Sequence, residues 1–198
     1  MSEQVTSWQN IGPISRLSTL VCAAVQNAAR GLSGMVGLPI TTGTSQARVL
    51  HFNEMVRHLG DPESEMVGIY LLLKGDLTGQ AILILPLSSA LHLADVLMDV
   101  PMGSSTILGD MERSALAEVG NLTVSYFLNA MASLTGQPLR PSPPAVMVDM
   151  LGALMDVVAT PVAAVSDDLL IIETVLQDSE GALQARFWVL PDLASQLM

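Results

Sequence analysis

The chain has one cysteine, Cys22, one lysine, Lys74, and few aromatic residues: two Trp, two Tyr and three Phe among 198. A lone cysteine excludes an intrachain disulfide framework and fits a reducing compartment. With eight basic against nineteen acidic residues the net charge is −11. Such a surface repels phosphate backbones and anionic lipid, so neither nucleic acid nor membrane is expected as a partner. No G-x-x-x-x-G-K-[ST] loop or G-x-S-x-G elbow occurs. The most apolar segments, IYLLL and QAILILPL, are far shorter than the roughly 18 residues of a membrane helix. The opening MSEQVTSWQN lacks the basic-then-apolar order of a signal peptide. The expected setting is the cytoplasm. His51, His58 and His92 have no carboxylate or thiol at ligand spacing, so no metal site and no bound cofactor are expected.

Half of the residues are hydrophobic, enough for a real core, which in the absence of aromatics must be built from Leu, Val, Ala, Ile and Met. The twelve Met residues fall at core-like positions. The acidic run Asp61, Glu63, Glu65 reads as a solvated turn, and GLSG at Gly31 to Gly34 reads as close helix packing within a helical pattern.

An internal repeat organises the chain. SRLSTLVCAAVQNAARGLSGMVGLPI (15–40) and SALAEVGNLTVSYFLNAMASLTGQPL (114–139) lie 99 residues apart, so that Ser15 meets Ser114, Leu17 meets Leu116 and Pro39 meets Pro138. Each is a helix of about five turns by its apolar spacing, stopped by Gly and Pro. The first is followed by a strand at 47–51, a short helix at 53–58, a Gly-Asp-Pro turn at 60–62, a hairpin of strands 67–73 and 80–85, and a helix at 87–97. In the second half the strands 169–176 and 183–190 flank the turn QDSEG, and Pro191 to Leu197 begins a closing helix. The expectation is an α/β (α+β type) domain, 1–198, made of two helix–β-hairpin–helix repeats (about 12–98 and 110–198) in pseudo-twofold arrangement. The long helices would pack on antiparallel sheet, and an internal pseudo-dimer of this kind is expected to be a monomer.

In SALAEVGN, residues 114–121, Ser114, Glu118 and Asn121 fall within roughly 60° of one another on a helix, and Ser125 and Asn129 extend the stripe. By spacing alone this is what a solvated helix face looks like. With Pro144 it also completes the pattern [Asp/Ser]-x3-Glu-x2-Asn-x22-Pro, which resembles the signature of the CheC/CheX/FliY family of chemotaxis phosphatases. QNAARGLSGMVGLPI and GIYLLLKGDLTGQAILILPLSSALHLADVL also look like sequence of that family, so the resemblance spans nearly the whole chain. The length and the doubled unit are most similar to the CheC branch.

The resemblance implies a phosphatase that hydrolyses the aspartyl-phosphate of a CheY-like response regulator, which supplies its own Mg²⁺ and Lys. Asn121 would position the attacking water, since its amide offers both donor and acceptor. Glu118 would dock onto the regulator's Lys, and Ser114 would support docking or the carboxylate's rotamer. Pro144 would shape the loop after the helix, although RPSPP is equally a plain turn. The first helix keeps Ser15 but has Thr19 for Glu and Cys22 for Asn, and reads as a degenerate site. Leu122 to Tyr126 are bulkier than the small residues frequent in the family after the Asn, which bears on how closely a regulator approaches. The alternative reading is a non-catalytic module that binds a response regulator or the deamidase CheD.

Overall fold

The computed structural model describes residues 14–75, 78–163 and 168–192. Helix α1 (Ile14–Val36) leads through β1 (Thr41–Thr42) and β2 (Gln46–His51) to α2 (Phe52–Leu59), the hairpin β3 (Glu65–Gly75) and β4 (Gly79–Pro86), and α3 (Leu87–Leu97). Helix α4 (Asp110–Thr135) then opens the same order again: β5 (Leu139–Pro141), β6 (Ala145–Met150), α5 (Leu151–Ala163), β7 (Asp168–Gln177) and β8 (Gln184–Pro191). The 99-residue offset read from the two long helices continues through β2 and β6 and the first residues of α2 and α5.

Both long helices end by one device. Gly37 (φ 68°) and Gly136 (φ 73°), also 99 apart, take the left-handed conformation. Their N–H groups donate to Ser33 O at 3.0 Å and Ala132 O at 2.8 Å. Glycine reaches that conformation without a Cβ clash, so it closes the last turn and releases the chain toward the sheet.

The eight strands make one antiparallel sheet of order β1-β7-β8-β4-β3-β5, with β2 also on β7 and β6 also on β3. The order is palindromic under the repeat. The two hairpins meet at the centre, where Ile82 of β4 faces Trp188 of β8. Each half then hands its outer strands to the other half's hairpin: β2 pairs with β7 from Gln46↔Glu173 to His51↔Asp168, and β6 pairs with β3 from Ala145↔Tyr70 to Met150↔Glu65.

Strand alternation divides the core between the two faces. Val67, Ile69, Leu71 and Leu73 of β3, with Leu83 and Leu85 of β4 and Phe187 and Val189 of β8, pack under the buried faces of α1, α3 and α4. Phe127 of α4 meets Phe187 edge-on, with centroids 5.4 Å apart and planes at 73°, a favoured aromatic geometry. On the opposite face Ile82, Ile84, Trp188 and Leu190 pack with Met55 of α2 and Leu151, Leu154, Met155 and Val158 of α5. The expected long helices on antiparallel sheet are thus present, and α2 with α5 supplies a second helical layer.

Two sequence expectations change and two features are added to them. His58 does have a carboxylate partner, brought from 115 residues away: its Nε2 lies 2.7 Å from Glu173 Oε2, while Arg186 Nη1 donates to Glu173 Oε1 at 2.6 Å. Burial of Glu173 opposes ionisation, but the bonds from His58 and Arg186 outweigh it and hold the carboxyl below its usual range. Met102, Met111 and Met150 are exposed rather than core residues. Pro191 ends β8 instead of opening a helix, and the remainder of the expected closing helix lies outside the described residues. The strands β5 and β6 and helix α5, in a stretch left unassigned in the sequence, complete the second half. Among the described residues no helix is long and apolar enough to cross a membrane, and no group of three or more His, Cys, Asp or Glu is placed to hold a metal ion.

Candidate functional site

The segment EVGN is sorted by the helix into two faces. Val119 and Gly120 point into the protein and are buried, whereas Glu118 is exposed and Asn121 half-exposed one turn further on. Ser114, one turn before Glu118, is also exposed. None of these three side chains bonds to another described residue, so their polar groups are available at the surface.

Gly120 sets how deeply this part of α4 sits. A Cβ there would lie 2.3 Å from Ile69 Cγ2 and 3.3 Å from Ile69 Cβ, well inside contact distance. The helix backbone therefore rests on the centre of β3, and Glu118 and Asn121 are carried at a height fixed by a stiff β-branched core residue. A glycine in the interior of a 26-residue helix costs about 1 kcal/mol relative to Ala. That anomaly, between a Glu and an Asn, is the signal in the sequence that could have located this contact.

The start of α4 is braced on both sides. Arg113, next to Ser114, donates through Nε to Leu108 O at 3.0 Å and through Nη1 to Val146 O at 3.5 Å, tying the helix to its own leading loop and to β6. Pro144, half-buried, immediately precedes β6. Ser142 just before it pairs with β3, donating to Leu72 O at 2.8 Å and accepting from Leu72 N at 2.9 Å. Pro144 thus leads directly into the strand that Arg113 tethers to α4. The loop between α3 and α4 is held by Asp95, a buried carboxylate that accepts from Gly103 N at 2.7 Å and Ser105 N at 2.8 Å. The Ser105 hydroxyl and these backbone donors keep its carboxyl below the usual range. Arg113 and Asp95 carry no pattern in the sequence that singles them out.

The residues after Asn121 do not stand in front of it as a group. Thr123 and Val124 are fully buried, and Leu122 and Ser125 are half-buried. Tyr126, 43 % exposed, lies across α1 at Gly31, where a Cβ would fall 2.1 Å from the tyrosine Cδ2. The close packing read into GLSG is therefore present at Gly31 and absent at Gly34, which has open space around it. A groove of about 670 Å³ follows between α1 and α4, lined by residues including Asn27, Arg30, Tyr126 and Asn129. Glu118 and Asn121 do not line it. Theirs is an open helix face, a shape suited to a folded partner that brings its own reactive group more than to a small substrate needing enclosure.

On α1, Thr19 is exposed and Cys22 half-exposed, at the positions of Glu118 and Asn121. Cys22 Sγ accepts only a long contact from Gln26 Nε2 at 4.0 Å. Ser15 lies on α1 as its counterpart Ser114 lies on α4. The structure keeps the two helical positions equivalent and gives only one of them a carboxylate and an amide.

A family model described as the CheC-like family matches residues 111–148, a span holding all four motif positions. The CheY-P phosphatase CheC of Bacillus subtilis (strain 168) is 30% identical over 173 residues, covering 85% of this chain and 83% of that protein. Among solved structures, Thermotoga maritima FliY superposes with a TM-score of 0.71 at 18% identity, covering 90% of this chain and 89% of that one. A chain of the CheX–CheY–BeF3–Mg²⁺ complex from Borrelia burgdorferi superposes with a TM-score of 0.58 at 16% identity, covering 85% of this chain and 95% of that one.

Proposed function

This chain belongs to the CheC-like family, and from that premise we propose that it hydrolyses the aspartyl-phosphate of a CheY-like response regulator. The observation that carries the reading is the sorting of EVGN, which turns Glu118 and Asn121 outward while Val119 and Gly120 fix the helix on the sheet. An acyl phosphate is already activated, so the catalyst need only hold a water in line with the bond to the leaving carboxylate. The Asn121 carboxamide oxygen accepts a hydrogen bond from that water and directs the water's lone pair at phosphorus; the water's proton leaves with the inorganic phosphate. The P–O bond to the regulator's aspartate then breaks, releasing inorganic phosphate and a free carboxylate. Glu118 pairs with the regulator's lysine, which registers the helix over the phosphoryl group, and Ser114 supports that docking. The regulator's own Mg²⁺ offsets the phosphoryl charge. In this reading the α1 position, with Thr19 and Cys22, is inactive: a thiol holds water poorly and a threonine cannot pair with an ammonium.

The test is to phosphorylate a CheY-like regulator with acetyl phosphate, remove the donor and follow phosphate release. The wild-type chain is expected to accelerate release, and Asn121→Ala to lose about a hundredfold or more of that acceleration with an unchanged melting temperature. Equal rates for wild type and Asn121→Ala would sink the proposal. Binding of the regulator without acceleration would instead support the scaffold reading, with CheD as the further partner to assay.

A further inference from the structure

The two most exposed large apolar side chains among the described residues, Ile107 (74 %) and Met111 (73 %), stand together at the start of α4, with Met102 (57 %) on the same loop. Other exposed apolar side chains, such as Val49, Leu134 and Val157, are spread over separate elements, as on any protein surface. The concentration before Ser114 is different because it is built rather than left over. Asp95 commits a buried carboxylate to Gly103 and Ser105, and Arg113 commits its guanidinium to Leu108 O and Val146 O. The loop that raises these side chains into water is thereby held in one shape.

Met111 lies seven residues before Glu118, about 10.5 Å along α4 and within roughly 20° of it around the axis. A specific protein interface covers about 800 Å² on each partner, a disc some 16 Å in radius. A folded protein that docks on Glu118 with its phosphoryl group over Asn121 therefore has Met111, about 15 Å along the axis from Asn121, at the margin of its footprint and Ile107 just beyond it.

We propose that Met102, Ile107 and Met111 form an apolar docking shoulder for the phosphorylated response regulator, seating the surface that borders its lysine and acyl phosphate. This rests on the reading of Glu118 and Asn121 given above and adds a division of labour to it. The polar pair acts on the phosphoryl group, and the shoulder supplies affinity through burial of apolar and thioether surface. The shoulder meets its partner already ordered, which removes part of the cost of association.

The experiment measures KM and kcat for a regulator phosphorylated by acetyl phosphate, and direct binding of the same regulator loaded with beryllofluoride. For Ile107→Glu/Met111→Glu, KM and the dissociation constant are expected to rise about tenfold or more, with kcat within about twofold. Met111→Leu, which keeps the apolar surface, and Val157→Glu, on the far helical layer, are expected to change neither constant. An Ile107→Glu/Met111→Glu protein with unchanged KM and unchanged binding overturns the shoulder, even where Asn121→Ala has abolished turnover and so upheld the catalytic reading. Conversely, a wild type that binds the loaded regulator without hydrolysing the phosphorylated form removes the catalytic reading alone, and the tenfold weakening of binding then still supports the shoulder. Absence of binding to the wild type overturns both.

Discussion

Helices α1 and α4 occupy equivalent places in the repeat and share a capping glycine at the same register, yet they rest on the sheet differently. Where α4 has Gly120 against Ile69, α1 has the fully buried Val21. Where α1 has Gly31 beneath the Tyr126 ring, α4 has Ala130 and its aromatic neighbour's counterpart is Asn27. A valine requires room for its branched side chain between backbone and sheet, whereas a glycine lets backbone and strand touch. The helix that carries Glu118 and Asn121 is also the one with a glycine at its sheet contact. The difference between α1 and α4 is therefore not confined to Thr19 and Cys22: the residue that meets the sheet beside them, Val21 for Gly120, differs as well.

The most damaging way to break this comparison is to make α4 resemble α1 at its contact. Gly120→Ala, although favourable by about 1 kcal/mol for the helix itself, forces α4 off Ile69. It is expected to destabilise the fold by about 1 to 2 kcal/mol net and, by displacing Asn121 by part of an ångström, to lower regulator dephosphorylation ten- to a hundredfold. Chemical denaturation and phosphate-release assays on the same preparation separate the two effects. Unchanged activity would mean that the height of the helix does not matter.

A second difference between the halves lies on the opposite sheet face. Glu173 of β7 stands opposite Gln46, as Tyr70 of β3 stands opposite Ala145, so the second half carries an ion-paired carboxylate where the first carries a phenol. The folded-state pKa of Glu173 is depressed. Its stabilisation is therefore present above the usual carboxylate pKa of about 4.3 and is lost as pH falls through the lower folded value. Glu173→Gln is expected to cost about 2 kcal/mol at pH 7, and in urea titrations the gap from wild type should narrow as pH falls below the usual carboxylate range. A gap of constant size from pH 7 down through the carboxylate range would assign the loss to packing rather than charge.

The smallest effect tests the equivalence itself. Gly37→Ala and Gly136→Ala each place a Cβ at positive φ and are expected to cost about 1 kcal/mol apiece, read as a fall of a few degrees in melting temperature. Markedly unequal losses would show that only one of the helix ends is held by its cap.

Several of these differences could be read from residue order alone, for local reasons. The Leu87–Leu97 helix, the β3–β4 hairpin and both long helices follow apolar periodicity with Gly and Pro at their ends. The Ser114–Glu118–Asn121 stripe follows helical spacing. The stretch Ala145–Ala163 did not separate in the same way, because AVMVDM runs straight into LGALMDVVATPVA and Gly152, a residue that usually marks a turn, lies inside the helix. Pro161 also sits inside α5, where a proline normally argues for an end. The His58–Glu173 pair, the Gly120–Ile69 contact and the exposure of Met111 join or leave residues far apart in the chain, so spacing carries no trace of them.

The exchange of outer strands has a consequence in time rather than in space. As the chain is synthesised, the first hairpin emerges with the edge of β3 open, and the strand that closes it, β6, follows some seventy residues later. Strand β2 waits longer still, for β7. Neither half is a finished product that the other then joins. Until residues 145–177 have been made, the chain holds unpaired strand edges, and the interval between the two halves is when it is most exposed to pairing with a neighbour.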